Sequence, residues 1–248
     1  MTGSRPGRIW GLVAGQAASR GGRVSAGDAC AAAVVTVDVT GAWLNAGRGA
    51  EAGHLMQATN EVSEQLAELE VTLGEGPGRD ASTSGGPVLA SDLAERQAIR
   101  RWPVFAPAAC QAGAAAIFAF PLRVGAIRAG VMSLYRERPG SLSAFQLGDA
   151  LVFADTATLL LLEAQGQAAG GLRPQAGQPA DLALHRADID QATGMLTEQL
   201  GVGIADAFVR LRAYAYVNDL RLTDVAREIV ARRLRLHPES DSSDGGTG

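Results

Sequence analysis

The sequence predicts an α+β fold in which helices flank an antiparallel sheet, followed by an all-α three-helix bundle. Three observations lead to this expectation. Residues 114–122 and 126–137 are strongly apolar segments separated by a gap of hairpin length. Residues 143–165 repeat apolar side chains at helical spacing, and three shorter helical patterns follow residue 180. A length of 248 residues accommodates two modest domains.

The remaining elements of the first part follow from local patterns. The β-branched run AAAVVTVD predicts a strand, and the glycine-rich stretch TLGEGPG predicts a loop. Pro103 is tolerated in the first turn of a helix. In chain order, the expected elements are a helix at 8–20, strands at 31–38 and 43–46, a helix at 60–69, a loop at 72–78, a strand at 87–93 and a helix at 102–112.

The helix expected at 143–165 has a broad apolar face. Its side chains at heptad-like steps suffice to cover one sheet, and Val152 and Leu159 widen the apolar surface beyond that. A face of this width favours a second partner, so we expect a homodimer. The residues at the heptad-like steps are Leu147, Leu151, Ala154, Thr158 and Leu161.

Composition shifts divide the chain. A stretch rich in glycine, proline and glutamine predicts a linker, and the polar C-terminal stretch predicts a disordered tail. The helices of the bundle are expected at 181–200, 204–216 and 223–236. The predicted divisions are a domain at 1–165, a linker at 166–180, a bundle at 181–237 and a tail at 238–248.

Composition also excludes several classes of protein. The net charge is −4, and all 22 basic residues are arginine. The two cysteines and three histidines are not clustered, so neither a disulfide framework nor a zinc site is expected. The same cysteine usage favours a reduced cytoplasm. Because no run of about 18 apolar residues exists, we expect no membrane span and no membrane partner. No nucleophile elbow, Walker motif or HExxH is present, so neither an enzyme nor a cofactor is expected.

Residues 189–230 resemble the ANTAR domain. The pattern I-x-Q-A-x-G is followed by A-F-x-x-L-R-x-x-A and L-x-x-V-A, with spacing intact over about forty residues. The matching positions are Ile189, Gln191, Ala192, Gly194, Ala207, Phe208, Leu211, Arg212, Ala215, Leu222, Val225 and Ala226.

Residues 8–165 resemble the GAF domain as it occurs in actinobacterial GAF–ANTAR proteins. The phrases that carry the likeness are TLGEGPGRDA, GPVLASDL, RWPVFAPAA and FAFPLRVGAIRAGVMSLYR. The two resemblances together imply a transcription antiterminator whose bundle binds paired hairpins in nascent RNA. The GAF resemblance implies a sensory, dimerising module that binds a small molecule. The alternative is a signalling or dimerisation module that acts through protein partners, with RNA binding weakened or lost.

The resemblance assigns RNA contacts to Gln191, Ala192, Thr193, Gly194, Arg212 and Arg221. Glycine inside a helix lowers its stability by about 0.5–1 kcal/mol relative to alanine. We therefore expect Gly194 to allow close approach either of RNA or of a neighbouring helix. Thr193 stands where the family commonly has lysine, so Thr193→Lys is expected to raise RNA affinity. Additional nucleic-acid contacts, or alternatively a solvated helix face, are expected at Arg227, Arg232, Arg233 and Arg235.

The charge of the predicted bundle weakens the RNA interpretation. Residues 181–237 contain eight arginines and eight acidic residues and are therefore formally neutral. Binding that depends on phosphate contacts usually leaves a basic footprint. Any RNA site must therefore arise from local clustering of arginines or from pairing of two copies.

Overall fold

The computed structural model describes residues 4–47, 54–168, 180–218 and 220–236. The chain divides into two compact units, with the boundary between residues 184 and 185. The predicted tail at 238–248 lies outside the described residues, as does most of the predicted linker at 166–180. Residues 166–168 are instead the last helical residues of the long helix that precedes it.

The N-terminal unit is built on a five-stranded antiparallel sheet. Its strands are β1 (Gly41–Ala46), β2 (His54–Ala58), β3 (Val88–Ala90), β4 (Ala116–Val124) and β5 (Ile127–Arg136), and their spatial order is β2-β1-β5-β4-β3. The hairpin predicted between the two apolar segments is confirmed, because β4 and β5 pair along their full length. Its loop has two residues rather than three, and Gly125 at its first position has φ +58°.

Helices cover both faces of the sheet. Their bounds are α1 (Arg5–Arg20), α2 (Ala26–Val37), α3 (Glu61–Leu73), α4 (Pro77–Ser84), α5 (Arg96–Arg101), α6 (Phe105–Gln111) and α7 (Ala144–Ala168). One core lies between the sheet and α1, α2 and α7, and includes Phe118, Phe120 and Phe153. The other lies beneath α3 to α6 and includes Trp43 and Ile117. Neighbouring residues of β4 serve opposite cores, as the two-residue period of a strand requires.

The predicted strand at 31–38 is wrong, because these residues belong to α2. Ser25 and Asp28 form a capping box that starts this helix, and Arg20 binds the Asp28 carboxylate at 2.8 Å. The run is apolar on most sides because α2 packs between α1, α7 and the sheet. A short buried helix of this kind has the same local pattern as a buried strand.

Two other predicted elements need correction. The loop expected at 72–78 is shorter, because α3 continues to Leu73 and α4 begins at Pro77. The helix expected from residue 102 to 112 is shorter, because α6 occupies only Phe105–Gln111, and a separate helix that was not predicted, α5, ends just before it at Arg101. Gly74 and Pro77 in the first segment, and Pro103 in the second, fix where the chain turns. The packing of neighbouring helices and strands decides how far each helix extends.

The long helix α7 is held to the N-terminal helix by a buried carboxylate. Asp149 is fully buried and accepts hydrogen bonds from Arg8 at 2.6 and 2.7 Å, while Arg5 lies 3.1 Å away. By length and composition, residues 144–164 could cross a membrane. The criterion of an uninterrupted apolar run does not identify this segment, because polar residues interrupt it. Half of this segment is buried within the protein, and the core helix of a soluble protein meets the same criterion.

Most of α8 (Ala180–Leu200), together with α9 (Ile204–Val217) and α10 (Leu222–Val230), forms the described part of the C-terminal unit. The predicted fold class, an antiparallel sheet flanked by helices and followed by a helical bundle, is therefore confirmed. The third helix was predicted to reach residue 236 but ends at Val230. Arg232 adopts a left-handed conformation with φ +59°, which ends the helix and redirects the chain.

Candidate nucleic-acid interface

The core of the C-terminal unit fixes which face of α8 is accessible. All three helices contribute small or branched apolar side chains that are almost completely buried. These residues are Ala192, Leu196, Ala207, Leu211, Ala215, Leu222, Val225, Ala226 and Ile229. Because successive residues of a helix are rotated by about 100°, the opposite face of α8 stays open to solvent.

The phrase from Gln191 to Gly194 is divided between these two faces. Gln191 is exposed and Gly194 is partly exposed, whereas Ala192 is fully buried. Thr193 is 5% exposed, and its hydroxyl donates to the carbonyl oxygen of Ile189 at 2.7 Å. Ala192 and Thr193 therefore shape the bundle and present no surface to RNA. The expected gain in RNA affinity from Thr193→Lys therefore has no physical basis in this structure. The lysine side chain would leave the backbone on the buried side of α8, where an ammonium group is costly.

Gly194 faces open space. A Cβ atom built at this position would meet no heavy atom within 4 Å outside the helix itself and its chain neighbours. Among the described residues, no neighbouring helix therefore needs a glycine here, and close helix packing does not explain it. Of the two explanations, close approach of RNA is therefore the one left. Gly194 leaves a stretch of α8 backbone accessible, and an external group can approach it closely.

The open face of α8 forms one side of a groove with a volume of about 650 Å³. Met195 and Ile229 contribute apolar surface, and the segment after α10 forms the opposite side. The predicted contacts Gln191, Gly194, Arg232 and Arg235 are all brought together here. The other lining residues are Glu198, Gln199 and Leu234.

Sequence reasoning missed most of these lining residues. Met195 and Glu198 follow Gln191 at steps of four and seven, so helical periodicity alone could have identified them. Leu234 could not be found in this way, because its position depends on the left-handed turn at Arg232.

The other predicted arginines lie outside this groove and have partners within the bundle. Arg227 contacts Asp188 at 3.2 Å and Asp224 at 3.4 Å. Arg233 binds Glu228 at 2.7 Å, and this hydrogen bond lowers the pKa of the Glu228 carboxyl. Arg212 lies over the Phe208 ring, 5.9 Å from its centroid, and Arg221 is the N-cap residue of α10. The four arginines of the predicted basic cluster therefore separate into two ion-paired and two groove-lining residues.

A family model for the ANTAR domain matches residues 183–230. The C-terminal unit carries an ANTAR domain. The match ends at the last residue of α10, so the groove has one wall inside the ANTAR domain and one wall, residues 231–236, beyond it.

Solved structures similar to the chain include three GAF domains. One is from a phosphoenolpyruvate-protein phosphotransferase of Coxiella burnetii, with 11% identity, 67% of this chain and 99% of that chain covered, and a TM-score of 0.49. The corresponding domain from Acinetobacter has 12% identity, 66% and 95% coverage and a TM-score of 0.47. The second GAF domain of DevS from Mycobacterium smegmatis has 18% identity, 58% and 94% coverage and a TM-score of 0.42. No curated protein matches the sequence.

In the N-terminal unit, the glycine-rich segment around residue 75 has a structural role. Glu75 accepts hydrogen bonds from the backbone N–H groups of Val104 and Phe105, both at 2.7 Å, at the start of α6. Asp80 accepts from Arg101 at 2.6 Å and from the Trp102 indole at 3.1 Å. These two carboxylates hold α4 against the chain around residue 102, which the sequence resemblance alone did not reveal.

Glu70 is the third carboxyl of this region and is almost completely buried. Its Oε1 accepts a hydrogen bond from the Gly78 N–H at 2.6 Å. Burial raises the pKa of the Glu70 carboxyl to about 7, although this hydrogen bond and the nearby Trp43 indole oppose the shift. Among the residues that the structure describes, the Trp43 Nε1 atom itself has no partner within hydrogen-bond geometry.

The same face of the sheet carries further unpartnered polar atoms. Within residues 4–47 and 54–168, Asn45 Oδ1 and Ser133 Oγ are buried without a hydrogen-bond partner, as is Trp43 Nε1. Trp43 pairs with Ser133 across β1 and β5. A separate cavity beside β3 has a volume of only about 140 Å³, below the range of about 300–1,000 Å³ typical of ligand pockets. In the part of the chain that the structure describes, no three metal-ligating side chains come together.

Proposed function

We propose that this protein is an RNA-binding antitermination regulator, in which the ANTAR domain binds hairpins in nascent transcripts under the control of the N-terminal GAF-like unit. The observation that carries the proposal is the groove beside Gly194, within a domain whose family resemblance implies RNA binding. Exposed helix backbone, the Gln191 amide and two arginines converge there. Amide and guanidinium groups at an accessible backbone suit base edges and phosphates.

The formal neutrality of the bundle does not oppose this proposal. Arg227 and Arg233 are paired with acidic side chains, whereas within residues 187–218 and 220–236 neither Arg232 nor Arg235 forms an ion pair. The charge that matters for phosphate binding is local, because charges farther apart than a Debye length of about 8 Å are largely screened at physiological salt. Against the single carboxylate of Glu198 in the same groove, these two arginines leave a small net positive charge on a neutral domain.

Selection of RNA ligands tests the proposal directly. The full chain is incubated with a pool of RNA hairpins whose loops are randomised, and bound RNA is enriched over several rounds. We expect enriched loops whose affinity falls as salt rises, because phosphate contacts release counterions. The matched control replaces the enriched loop by a fully paired stem of equal length. No enrichment above this control, or equal binding to duplex DNA, would contradict the proposal.

The N-terminal unit is proposed to be the sensor, acting without catalysis and in the cytoplasm. The support for a small-molecule ligand is the set of buried polar atoms on one face of the sheet, Trp43 Nε1, Asn45 Oδ1 and Ser133 Oγ, which a polar ligand could satisfy. A screen of small molecules that follows the thermal unfolding of this unit would identify the ligand. A bound ligand raises the unfolding temperature by mass action.

A homodimer through α7 is part of the proposal. Leu159 is 62% exposed and Leu151 is 40% exposed on this helix, while their neighbours Phe153 and Leu160 are buried against the sheet. We expect a dimeric mass by sedimentation at micromolar concentration, and Leu159→Glu is expected to shift it to a monomer, because a charge in an apolar interface is costly. Val35→Glu, at an apolar α2 residue that is 76% exposed, is the matched control. A wild-type monomer, or the same shift in both variants, would rule out this interface.

A second function is favoured by one observation on α9. Val209, Tyr216 and Val217 are each more than half exposed and lie at steps of seven and eight, on one side of the helix. An exposed apolar face of this kind suits a protein partner, so the alternative is a signalling or dimerisation module that acts without RNA. The RNA selection separates the two functions, because the alternative predicts no enriched loop.

A further inference from the structure

The segment of residues 231–236 is anchored at both ends, although it is neither helical nor part of the matched domain. The backbone N–H groups of Arg233 and Leu234 donate to the Glu228 carbonyl oxygen at 2.9 and 3.1 Å. The Arg233 side chain binds the Glu228 carboxylate, and the Gln199 amide of α8 donates to the Leu236 carbonyl oxygen at 2.7 Å. The segment is therefore a fixed wall that faces α8.

This wall gives the groove two kinds of surface. Met195, Ile229 and Leu234 are apolar, while Arg232 and Arg235 add positive charge and Gln191 adds an amide. The volume of about 650 Å³ lies within the range of about 300–1,000 Å³ of pockets that hold small organic molecules. A base inside a duplex is stacked between its neighbours and cannot enter such a groove, whereas a base turned out of a loop can.

We propose that residues 231–236 are an RNA-binding wall outside the ANTAR domain, and that the groove holds one unstacked nucleotide. Its base lies on the apolar surface of Met195 and Leu234, and its phosphates lie on Arg232 and Arg235. This inference rests on the proposed RNA-binding function, which it extends by assigning the ligand form and the residues that hold it. Gly194 then serves to let the sugar and base approach the backbone of α8.

Glu198 gives the groove a preference among bases. An ionised carboxylate only accepts hydrogen bonds, so it favours a base that carries an exocyclic amino group, as adenine, cytosine and guanine do. The one base donor of uracil, N3–H, lies between two carbonyl oxygens that repel a carboxylate. The Gln191 amide lies two turns earlier on the same face of α8 and can both donate and accept. The nucleotide in the groove is therefore expected to carry an amino group.

Affinity measurements on the enriched hairpin test the wall. Arg232→Ala and Arg235→Ala are each expected to weaken binding about tenfold and to reduce the slope of log affinity against log salt by about 0.7, the value for one phosphate of a single strand. The matched control is Arg210→Ala, which removes an arginine of the same domain that does not line the groove. All three residues lie at the surface or partly so, and circular dichroism checks that the variants keep their fold.

Crosslinking and base substitution locate the nucleotide. Ultraviolet crosslinking of the unmodified hairpin, mapped by mass spectrometry, is expected to join a loop nucleotide to residues 194–199 or 231–236. Uridine at the crosslinked position is expected to weaken binding about tenfold, and Glu198→Gln should largely remove this penalty, because an amide can also donate to uracil.

The outcomes separate this inference from the function on which it rests. If no hairpin is enriched, the proposed function fails. If a hairpin binds but Arg232→Ala and Arg235→Ala behave like Arg210→Ala, or the crosslinks map to α9, the function stands and the inference is wrong.

Discussion

Replacing Gly130 with alanine is expected to destabilise the N-terminal unit by at least about 3 kcal/mol, a large fraction of the stability of an ordinary domain. Gly130 lies in the central strand β5, paired with Ala46 of β1 on one side and with Leu122 of β4 on the other. Its φ is +154°, in the region that glycine alone adopts readily, and a Cβ atom would overlap the Asn45 carbonyl oxygen. Because the obstructing atom belongs to a paired backbone, no side-chain movement relieves the overlap.

The same hairpin contains a matched control for this prediction. Gly125 has φ +58° in the two-residue loop, and a Cβ atom there meets nothing within 4 Å. Gly125→Ala should therefore cost only about 1–2 kcal/mol, the conformational cost alone. Tryptophan fluorescence during denaturation measures both variants, because all three tryptophans lie in the N-terminal unit. Equal losses of stability in the two variants would show that Gly130 is not sterically confined.

Glu70→Gln is expected to remove a pH dependence of roughly 3 kcal/mol between pH 4 and pH 8. The pKa of the buried Glu70 carboxyl is raised from 4.5 to about 7. Below pH 4.5 the carboxyl is protonated in both the folded and unfolded states, and its contribution to stability is fully present. As pH rises, the unfolded chain loses this proton first, so stability falls until the folded carboxyl also ionises near pH 7.

Denaturation of wild type and variant at a series of pH values measures this effect as a difference. Groups common to both proteins, including the histidines, cancel in that difference. The glutamine carbonyl can still accept from Gly78 N–H, so the variant keeps the hydrogen bond and loses only the titration. Glu61→Gln, an exposed substitution on the same helix, should retain the wild-type profile. A Glu70→Gln profile parallel to wild type would mean that the carboxyl ionises as in water.

The sequence predicted elements well where the local pattern and the tertiary environment agree. The β4–β5 hairpin is predicted correctly because two apolar runs of strand length are joined by a gap of hairpin length, and α8 to α10 are predicted because their apolar periodicity matches one buried face each. Residues 31–38 were misassigned because α2 is buried on most sides, so its apolar run carries no period. Tertiary burial, which a local window does not contain, decides between helix and strand in such a run.

The candidate site was only partly predictable for a related reason. Gln191 and Gly194 were identified through a family phrase, and burial then removed Ala192 and Thr193 from the accessible surface. Arg232 and Arg235 were identified as charges on an assumed helix. They reach the groove because the helix ends before them. A single left-handed residue decides this, and arginine is not a residue from which such a conformation is expected.

The contact between Glu70 and Gly78 links two positions in evolution. A side chain at position 78 would collide with the Glu70 carboxylate, and one at position 76 would meet the same group. A side chain at position 78 therefore requires the Glu70 carboxylate to move and to weaken its hydrogen bond with the Gly78 N–H, whereas position 76 is confined in addition by its own φ of +139°. Substitution at 78 becomes neutral only after position 70 has accepted a shorter residue, and a shorter residue at 70 leaves a cavity until position 78 grows. The two positions are expected to be epistatic, so homologues should vary at both or at neither.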